Sequence, residues 1–517
     1  MATRRPSDKY VVRKEYNEPI EAPDLTIKSW LRWLWRQLTS MKTALWLLLL
    51  LAAAAVPGSI YPQRSADPNG VTLYFRNNPE LAKWLDRFQL FDVYSSSWFS
   101  AIYLLLFISL IGCVLPRIGV HYKALVSDPP AAPTNLSRLP EYKKVEIAKA
   151  DLSPAIEFFK ERKYKVAVVG NEIRAEKGFL RESGNLLFHV SLVGVLIAVG
   201  LGGALNYSGQ RVLVEGETFV NNEAGYDTLS PGFLFDTKNL IPFSLRLNQF
   251  STTYDLRNPS NYAKPLDFRA KVSYTLLGKT EQALIRVNEP LQIPNAKIYL
   301  TGNGYAPDIV VRDVNGNITF SGPVVFLPQD TNMTSLGVIK VPDAPKQFGM
   351  MAFFYPTVGK LKTGAFTSVY PALVNPVLSM NVFVGQLGLE DGMNTNVFEL
   401  NTHGMKQVAG GKSGTKAIML EVGQKKELPD GLGSVEFRGV KRFASLDITF
   451  NPMELWVLIF AILTLTGLII MLITPRRRLW VKKTASSVEV AALAKSKDQA
   501  LGKIVSEVAK AIKKKNK

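Results

Sequence analysis

The hydrophobic positions of this chain are concentrated in four long runs, at residues 43–61, 98–115, 184–205 and 453–474. The stretches between them mix apolar and polar positions. A helix needs about 20 consecutive apolar residues to cross a bilayer. Each run therefore predicts a transmembrane helix, and we expect the second helix to end at Pro116, where the apolar run stops.

A shorter amphipathic pattern precedes the first span, within residues 1–42. Ile27, Trp30 and Leu34 recur at helical spacing, with Lys28 among them. This pattern predicts an interfacial helix on the inner leaflet, and a cytoplasmic extension of the first span fits it equally well. Because the segment is longer than the n-region of a signal peptide, we expect the first span to be retained.

The segment 206–452 carries the alternation that is typical of β-strands. Phe268, Ala270 and Val272 alternate with polar neighbours, as in a half-buried strand. Asn315-Gly316 lies between two such runs and predicts a hairpin. Short strands and Pro/Gly turns recur throughout, so we expect one or two antiparallel β-sandwiches.

Two further segments carry weaker patterns. Residues 116–183 predict a small α+β unit, with a helix that begins at Ser153-Pro154 and a hairpin that turns near Gly170-Asn171. Residues 475–517 are rich in Ala and Lys. We expect this segment to be a basic tail that is helical or disordered, and its charge favours binding to anionic membrane lipids.

The charge distribution predicts the orientation in the membrane. The net charge is +19, and the excess of Lys and Arg lies in residues 1–42, 116–183 and 475–517. Basic segments stay in the cytoplasm. We therefore expect a multi-pass protein of the cell membrane with both termini inside and with residues 62–97 and 206–452 outside. Since the positive charge flanks the spans, we expect no nucleic-acid partner.

His189 is the first candidate for chemistry. It lies about four residues into the third span, roughly 6 Å below the boundary. Ionisable residues inside a membrane are costly and often functional, and a neutral imidazole is a natural axial ligand for haem iron. A histidine that only bonds a carbonyl of a neighbouring helix explains the position equally well.

The chain contains one cysteine and three histidines, so it forms no internal disulfide and offers few metal ligands. Cys113 lies near the inner end of the second span, in the same leaflet as His189. A thiolate ligates iron, whereas a buried thiol more often only fills space. We expect His121 and His403 to be surface histidines in aqueous segments. His121 follows the predicted end of its span, so we expect no second histidine at the depth of His189.

Several motifs are missing from the sequence. Without Cys-x-x-Cys-His the chain is not itself a c-type cytochrome. It also has no P-loop, and neither a nucleophile elbow nor a zinc-protease helix. These absences favour a binding or assembly role over a complete active site.

Five stretches of the chain resemble one protein family. They are MKTALWLLLLLAAAAVPGSIYPQR, SLIGCVLPR, GNLLFHVSLVGVLIAVG, GPVVFLPQDTN and NPVLSMNVFVGQLGL. In this order they resemble ResB/CcsB-type proteins of system II cytochrome c biogenesis, of the actinobacterial type. The resemblance implies a membrane partner of the CcsA/ResC type, with which haem is moved outward and joined to apocytochrome c. It also implies that His189 is a haem ligand and that Cys113 is a haem-reactive thiol.

The expected fold is a polytopic membrane protein with four transmembrane helices, a large antiparallel β-sandwich-like outer domain and a small α+β inner unit. The expected function is a haem-handling and cytochrome-docking subunit, with no active site or only part of a haem lyase site. An envelope scaffold that binds no haem is the alternative. Four spans are too few for the inverted repeats of a secondary transporter.

Overall fold

The computed structural model describes residues 26–147, 150–257, 263–388, 399–411, 413–494 and 498–515. The first 25 residues of the predicted cytoplasmic segment lie outside these ranges. The chain forms two compact units. The first contains the described residues up to Ile197 and those from Trp456 onward, and the second is Ala198–Leu455.

The described residues form α-helices and antiparallel β-strands. The helices are α1 Ile27–Leu38, α2 Met41–Ile60, α3 Pro68–Asn77, α4 Pro79–Arg87, α5 Ser97–Val126, α6 Ser153–Glu161, α7 Leu180–Leu205, α8 Glu454–Ile473 and α9 Leu501–Lys515. The strands up to residue 323 are β1 Glu141–Glu146, β2 Lys165–Val169, β3 Glu172–Lys177, β4 Tyr207–Val214, β5 Thr218–Val220, β6 Thr228–Pro231, β7 Phe243–Tyr254, β8 Pro265–Leu276, β9 Lys279–Arg286, β10 Leu291–Ile293, β11 Ala296–Arg312 and β12 Ile318–Pro323. The later strands are β13 Leu327–Pro328, β14 Ser335–Val341, β15 Phe348–Tyr355, β16 Val358–Lys360, β17 Phe366–Ser368, β18 Val377–Val384, β19 Lys406–Ala409, β20 Ile418–Glu421, β21 Lys425–Glu427, β22 Ser434–Phe450, β23 Arg477–Lys483 and β24 Ser487–Ala494.

The four predicted spans are confirmed as helices. Within the described residues, α2, α5, α7 and α8 are long and apolar enough to cross a membrane. The amphipathic helix predicted before the first span is also present as α1, and its interfacial position stays a prediction. It is separate from α2, because Ser40 caps α2 with its hydroxyl, which accepts a hydrogen bond of 3.2 Å from the backbone N–H of Thr43.

The second span does not end at Pro116, as the sequence predicted. The helix α5 continues to Val126, since a proline inside a helix removes one hydrogen bond without necessarily ending it. The end is fixed from outside the helix. The Lys165 ammonium donates to the backbone carbonyls of Leu125 at 2.8 Å and Ser127 at 2.7 Å, which satisfies carbonyls that have no partner within the helix.

The inner segment and the C-terminal segment fold together. One five-stranded sheet has the order β1-β24-β23-β3-β2, so two strands of the supposed tail occupy its middle. The helices α6 and α9 pack on one face, and Ile173, Val481 and Val508 are fully buried between sheet and helices. The predicted division into an inner unit and a basic tail therefore differs from the structure. The predicted hairpin at Gly170-Asn171 is confirmed as the turn between β2 and β3.

An ion pair closes the end of this α+β domain. Arg477 on β23 lies 2.5 Å from Asp498, just before α9. The hydrogen bond that Arg477 donates holds the pKa of the Asp498 carboxyl below the ordinary value. The last two residues of the chain and residues 495–497 lie outside the described ranges.

The second unit is the predicted β-rich segment. Its frame is the pair of 17-residue strands β11 and β22, which run antiparallel over nearly their whole length. One half of this pair packs with β7 and β8 around Leu245, Val272 and Ile298. The other half packs with β14, β15 and β18 around Ile339, Phe354 and Phe437. Two sandwich-like cores therefore share one pair of long strands.

Candidate functional site

A cavity of about 340 Å³ lies in the first unit between the C-terminal part of α5 and the N-terminal part of α7. Its volume is at the small end of the range for small-molecule sites. It is lined by Val114, Pro116, Arg117, Val120, His121 and Ala124 from α5, by Glu182, Asn185, Leu186 and His189 from α7, and by Arg476, which follows α8. Most of the exposed area of the wall is apolar, although six of the eleven lining residues are polar and provide two imidazoles, two guanidinium groups, one carboxylate and one amide.

His189 lies in this cavity with one ring nitrogen engaged. Its Nδ1 is 2.8 Å from the backbone carbonyl oxygen of Asn185, one turn earlier on the same helix. A carbonyl oxygen only accepts, so Nδ1 must carry the proton. In the neutral ring Nε2 then holds the lone pair, which is the form that binds a metal. The alternative explanation required a bond to a carbonyl of a neighbouring helix, whereas the observed bond lies within α7 and leaves the second ring nitrogen available.

His121 lines the same cavity, which corrects the expectation of a surface histidine in an aqueous segment. The helix α5 runs on past Pro116 and carries His121 against α7. Its Nε2 is 3.0 Å from the Ser183 hydroxyl, while Nδ1 is buried without a hydrogen-bond partner among the described residues. The longer helix thus brings a second histidine into the cavity of His189, which the early end of the predicted span had ruled out. Counted from its contact with Ser183, His121 lies about 9 Å along the helix axis from His189, so the absence of a second histidine at the depth of His189 stays a prediction.

The charged side chains in the cavity differ in their partners. The Arg476 guanidinium lies 2.8 Å from the buried Glu176 and 3.4 Å from Glu182, and it stacks on the Phe179 ring. Among the described residues, the Arg117 guanidinium donates a hydrogen bond only to the thioether sulfur of Met41, and no carboxylate lies within ion-pair distance of it. Arg476 is therefore neutralised by its neighbours, whereas Arg117 is not.

Cys113 does not line the cavity and contacts the turn between α1 and α2. Its thiol donates to the Thr39 carbonyl at 2.8 Å, and the Ser109 hydroxyl donates to the Leu38 carbonyl at 2.5 Å. A Cβ on Gly112 would lie 2.1 Å from the Thr39 side chain, so the two segments touch. The thiol thus holds the turn that leads into the first span.

Comparison with known proteins supports the resemblance drawn from the sequence. A family model described as the ResB-like family matches residues 41–506, which is most of the chain. The chain belongs to the ResB-like family. The match reaches into α9, so it includes the strands β23 and β24.

Several curated relatives of this ResB-like protein carry the name cytochrome c biogenesis protein CcsB. The protein of Synechococcus sp. strain WH7803 is 30% identical over 271 residues, which are 51% of this chain and 58% of the relative. The protein of Gloeobacter violaceus is 26% identical over 272 residues, 51% of this chain and 54% of the relative. The ResB-like chain thus spans a little more than half the length of the curated relatives that it matches.

Two glycines of the ResB-like protein bring α7 and α8 together beside the cavity. A Cβ on Gly184 would lie 2.8 Å from the Gly467 carbonyl oxygen, and a Cβ on Gly467 would lie 2.6 Å from the backbone nitrogen of Phe188. Small residues allow such close approach of helices in membranes. The turn that carries His189 is therefore fixed by direct backbone contact with α8. No pattern in the sequence identified this pair.

His403 lies in the second unit and is exposed, as expected. Among the described residues, no group of three or more His, Cys, Asp or Glu side chains forms a metal-binding cluster. The candidate site is therefore the cavity with His121, His189 and Arg117. The sequence identified only His189 of these three, and the helical spacing of Arg117 and His121 would have placed them on one face had the longer helix been expected.

Proposed function

We propose that this ResB-like protein is a membrane subunit of the system II cytochrome c biogenesis machinery. The family match over most of the chain and the name shared by its curated relatives support this role. The proposed partners are a CcsA/ResC-type membrane subunit, which completes the site, and apocytochrome c, which receives haem. The four apolar helices fit a subunit that acts within the membrane.

We also propose that the cavity binds haem as cargo and that His189 is the iron ligand. The observation that carries this proposal is the hydrogen bond from His189 Nδ1 to the Asn185 carbonyl, which leaves Nε2 with its lone pair. The apolar wall suits the porphyrin face. His121 provides a second imidazole from the same chain. It is a further candidate for the second axial ligand of the iron, in addition to a ligand from the partner subunit or Cys113.

The proposed topology keeps both termini in the cytoplasm and the second unit outside. The positive-inside distribution of Lys and Arg supports it. The shared sheet adds a separate argument. Because β1 pairs with β24, the segment after the second span and the segment after the fourth span must lie on the same side of the membrane, as an even number of intervening crossings requires.

The experiment that tests haem binding uses the full chain, purified in detergent alone and together with its CcsA-type partner. Haem is titrated in, and the Soret and visible bands are recorded. We expect saturable binding with the spectrum of a histidine-ligated haem, and a weaker, altered spectrum for His189→Gly. If neither preparation binds haem, the chain is an envelope scaffold instead.

A further inference from the structure

We propose that Arg117 recognises a carboxylate of the ligand in this cavity, so that the site selects a porphyrin with free acidic side chains. The inference rests on the proposed haem-binding function and adds a specificity-determining residue to it. In haem the acidic groups are the two propionates. Arg117 would form a charge-assisted, two-pronged hydrogen bond with one of them.

The first argument is the position of Arg117 along the helices. Arg117 and His121 are four residues apart and share one face of α5, and both line the cavity. The helices α5 and α7 run antiparallel, because Tyr103 contacts the Leu196 carbonyl and His121 contacts Ser183.

The rise per residue of an α-helix gives the positions of Arg117 and His189 along the helix axes. At 1.5 Å per residue, Arg117 lies about 6 Å along α5 from His121, and His189 lies about 9 Å along α7 from Ser183. Counted from the contact between His121 and Ser183, the positions of Arg117 and His189 along the helix axis differ by about 3 Å, and counted from the contact between Tyr103 and Leu196 they differ by about 10 Å. The imidazole is the deeper of the two, and the guanidinium lies on the side of His121. A single ligand of porphyrin size is wide enough to contact both.

The second argument is electrostatic. Near the inner end of a spanning helix, a charged side chain either pairs with an opposite charge or extends to water. Arg476 is paired with Glu176 and Glu182. Within the part of the chain that the structure describes, the hydrogen-bond partner of Arg117 is the Met41 sulfur, which is a weak acceptor. The half-buried Arg117 guanidinium therefore has no acidic partner among the described residues, and an acidic group of the ligand would neutralise it.

The two arguments together define the ligand class. The cavity offers the metal-binding nitrogen of His189 and, near it, the positive and planar guanidinium of Arg117, within an apolar wall. A flat apolar metal complex with a carboxylate at its edge satisfies all three features. An uncharged porphyrin satisfies only the imidazole and the wall.

The test compares haem with haem dimethyl ester, in which both propionates are blocked. Each is titrated into the purified full chain and followed by the Soret band. Wild type should bind haem about ten-fold or more tightly than the ester, in line with a hydrogen bond between charged groups. Arg117→Gln should lose this preference through weaker haem binding, with ester affinity unchanged. Arg117→Lys should keep part of the preference.

Lys123→Gln is the matched control, since Lys123 lies on the same helix, is exposed and does not line the cavity. Its preference for haem should equal that of wild type. If Arg117→Gln lost haem and ester affinity equally, Arg117 would only support the fold. If the preference for haem over the ester were unchanged, Arg117 would not contact a propionate. Either result overturns the inference while leaving haem binding at His189 in place. Failure of wild type to bind either compound would instead overturn the proposed function, and the inference with it.

Discussion

A Cβ placed on Gly467 of α8 would lie 2.6 Å from the backbone nitrogen of Phe188 on α7. Real Cβ atoms do not approach backbone atoms so closely, so the two helices meet where only glycine fits. Phe188 precedes His189, and the two rings lie edge to face at 5.0 Å. The position of the candidate iron ligand therefore depends on a glycine in another helix, 278 positions further along the chain.

Gly467→Ala should move α7 away from α8 and displace His189. Overpacking of this kind costs about 1–3 kcal/mol, and we expect a lower melting temperature in detergent together with weaker haem binding. Gly119→Ala is the control, because a Cβ at Gly119 meets no heavy atom within 4 Å. Equal melting temperatures and haem affinities for the two variants would argue against the glycine contact.

His189→Gly should abolish most haem retention and stop cytochrome c maturation, since the variant lacks the nitrogen that ligates iron. Membrane insertion should be unchanged, because glycine is compatible with an apolar span. Exogenous imidazole should restore part of the haem spectrum by filling the vacated coordination position. Normal haem content and normal cytochrome c in this strain would leave His189 with only its bond to Asn185.

Cys113→Ser should have little effect on haem binding. The serine hydroxyl keeps the hydrogen bond to the Thr39 carbonyl that the thiol makes, so the turn between α1 and α2 is preserved. Cys113→Val removes the donor and should lower thermal stability by about 1 kcal/mol. A large loss of bound haem in Cys113→Ser, with unchanged melting temperature, would instead identify the thiol as a haem contact.

Val508→Asp should unfold the α+β domain. Val508 is fully buried against the sheet, and an unpaired carboxylate there costs several kcal/mol. The variant should become sensitive to protease in both the 130–183 and 475–515 segments, because they share one core. Lys510→Asp serves as the control, since Lys510 lies on the same helix and is exposed. Cleavage confined to the C-terminal segment would contradict the shared core.

The topology predicts the signals of reporter fusions placed after residues 150, 300 and 500. They should indicate inside, outside and inside, in that order. The first and third must agree for a second reason, since strands β1 and β24 belong to one sheet. Opposite signals at 150 and 500 would contradict that pairing, and an outside signal at both would reverse the proposed orientation.

The amino-acid sequence alone was sufficient for the four spans and the β-rich segment, and it named His189 as a candidate. Each rests on local information. An apolar run of 20 residues has one stable form in a bilayer, and alternation such as that at Ala270 and Val272 marks one buried face of a strand. The confirmed bounds of α2, α7 and α8 differ from the predicted ones by only a few residues, because hydrophobicity decides them.

Tertiary structure decided what local pattern leaves open. The helix α5 ends at Val126 and not at Pro116, and its C-terminus is capped there by Lys165 from a later segment. Whether 475–517 is a tail depends on partners more than 300 residues earlier, such as Glu141, which pairs with Ala492. Both decisions bear on the site, since the first places His121 in the cavity and the second holds Arg476 near it. Such contacts form between segments that are remote in sequence. Their stabilising free energy depends on both segments, so the local pattern of either one does not predict them.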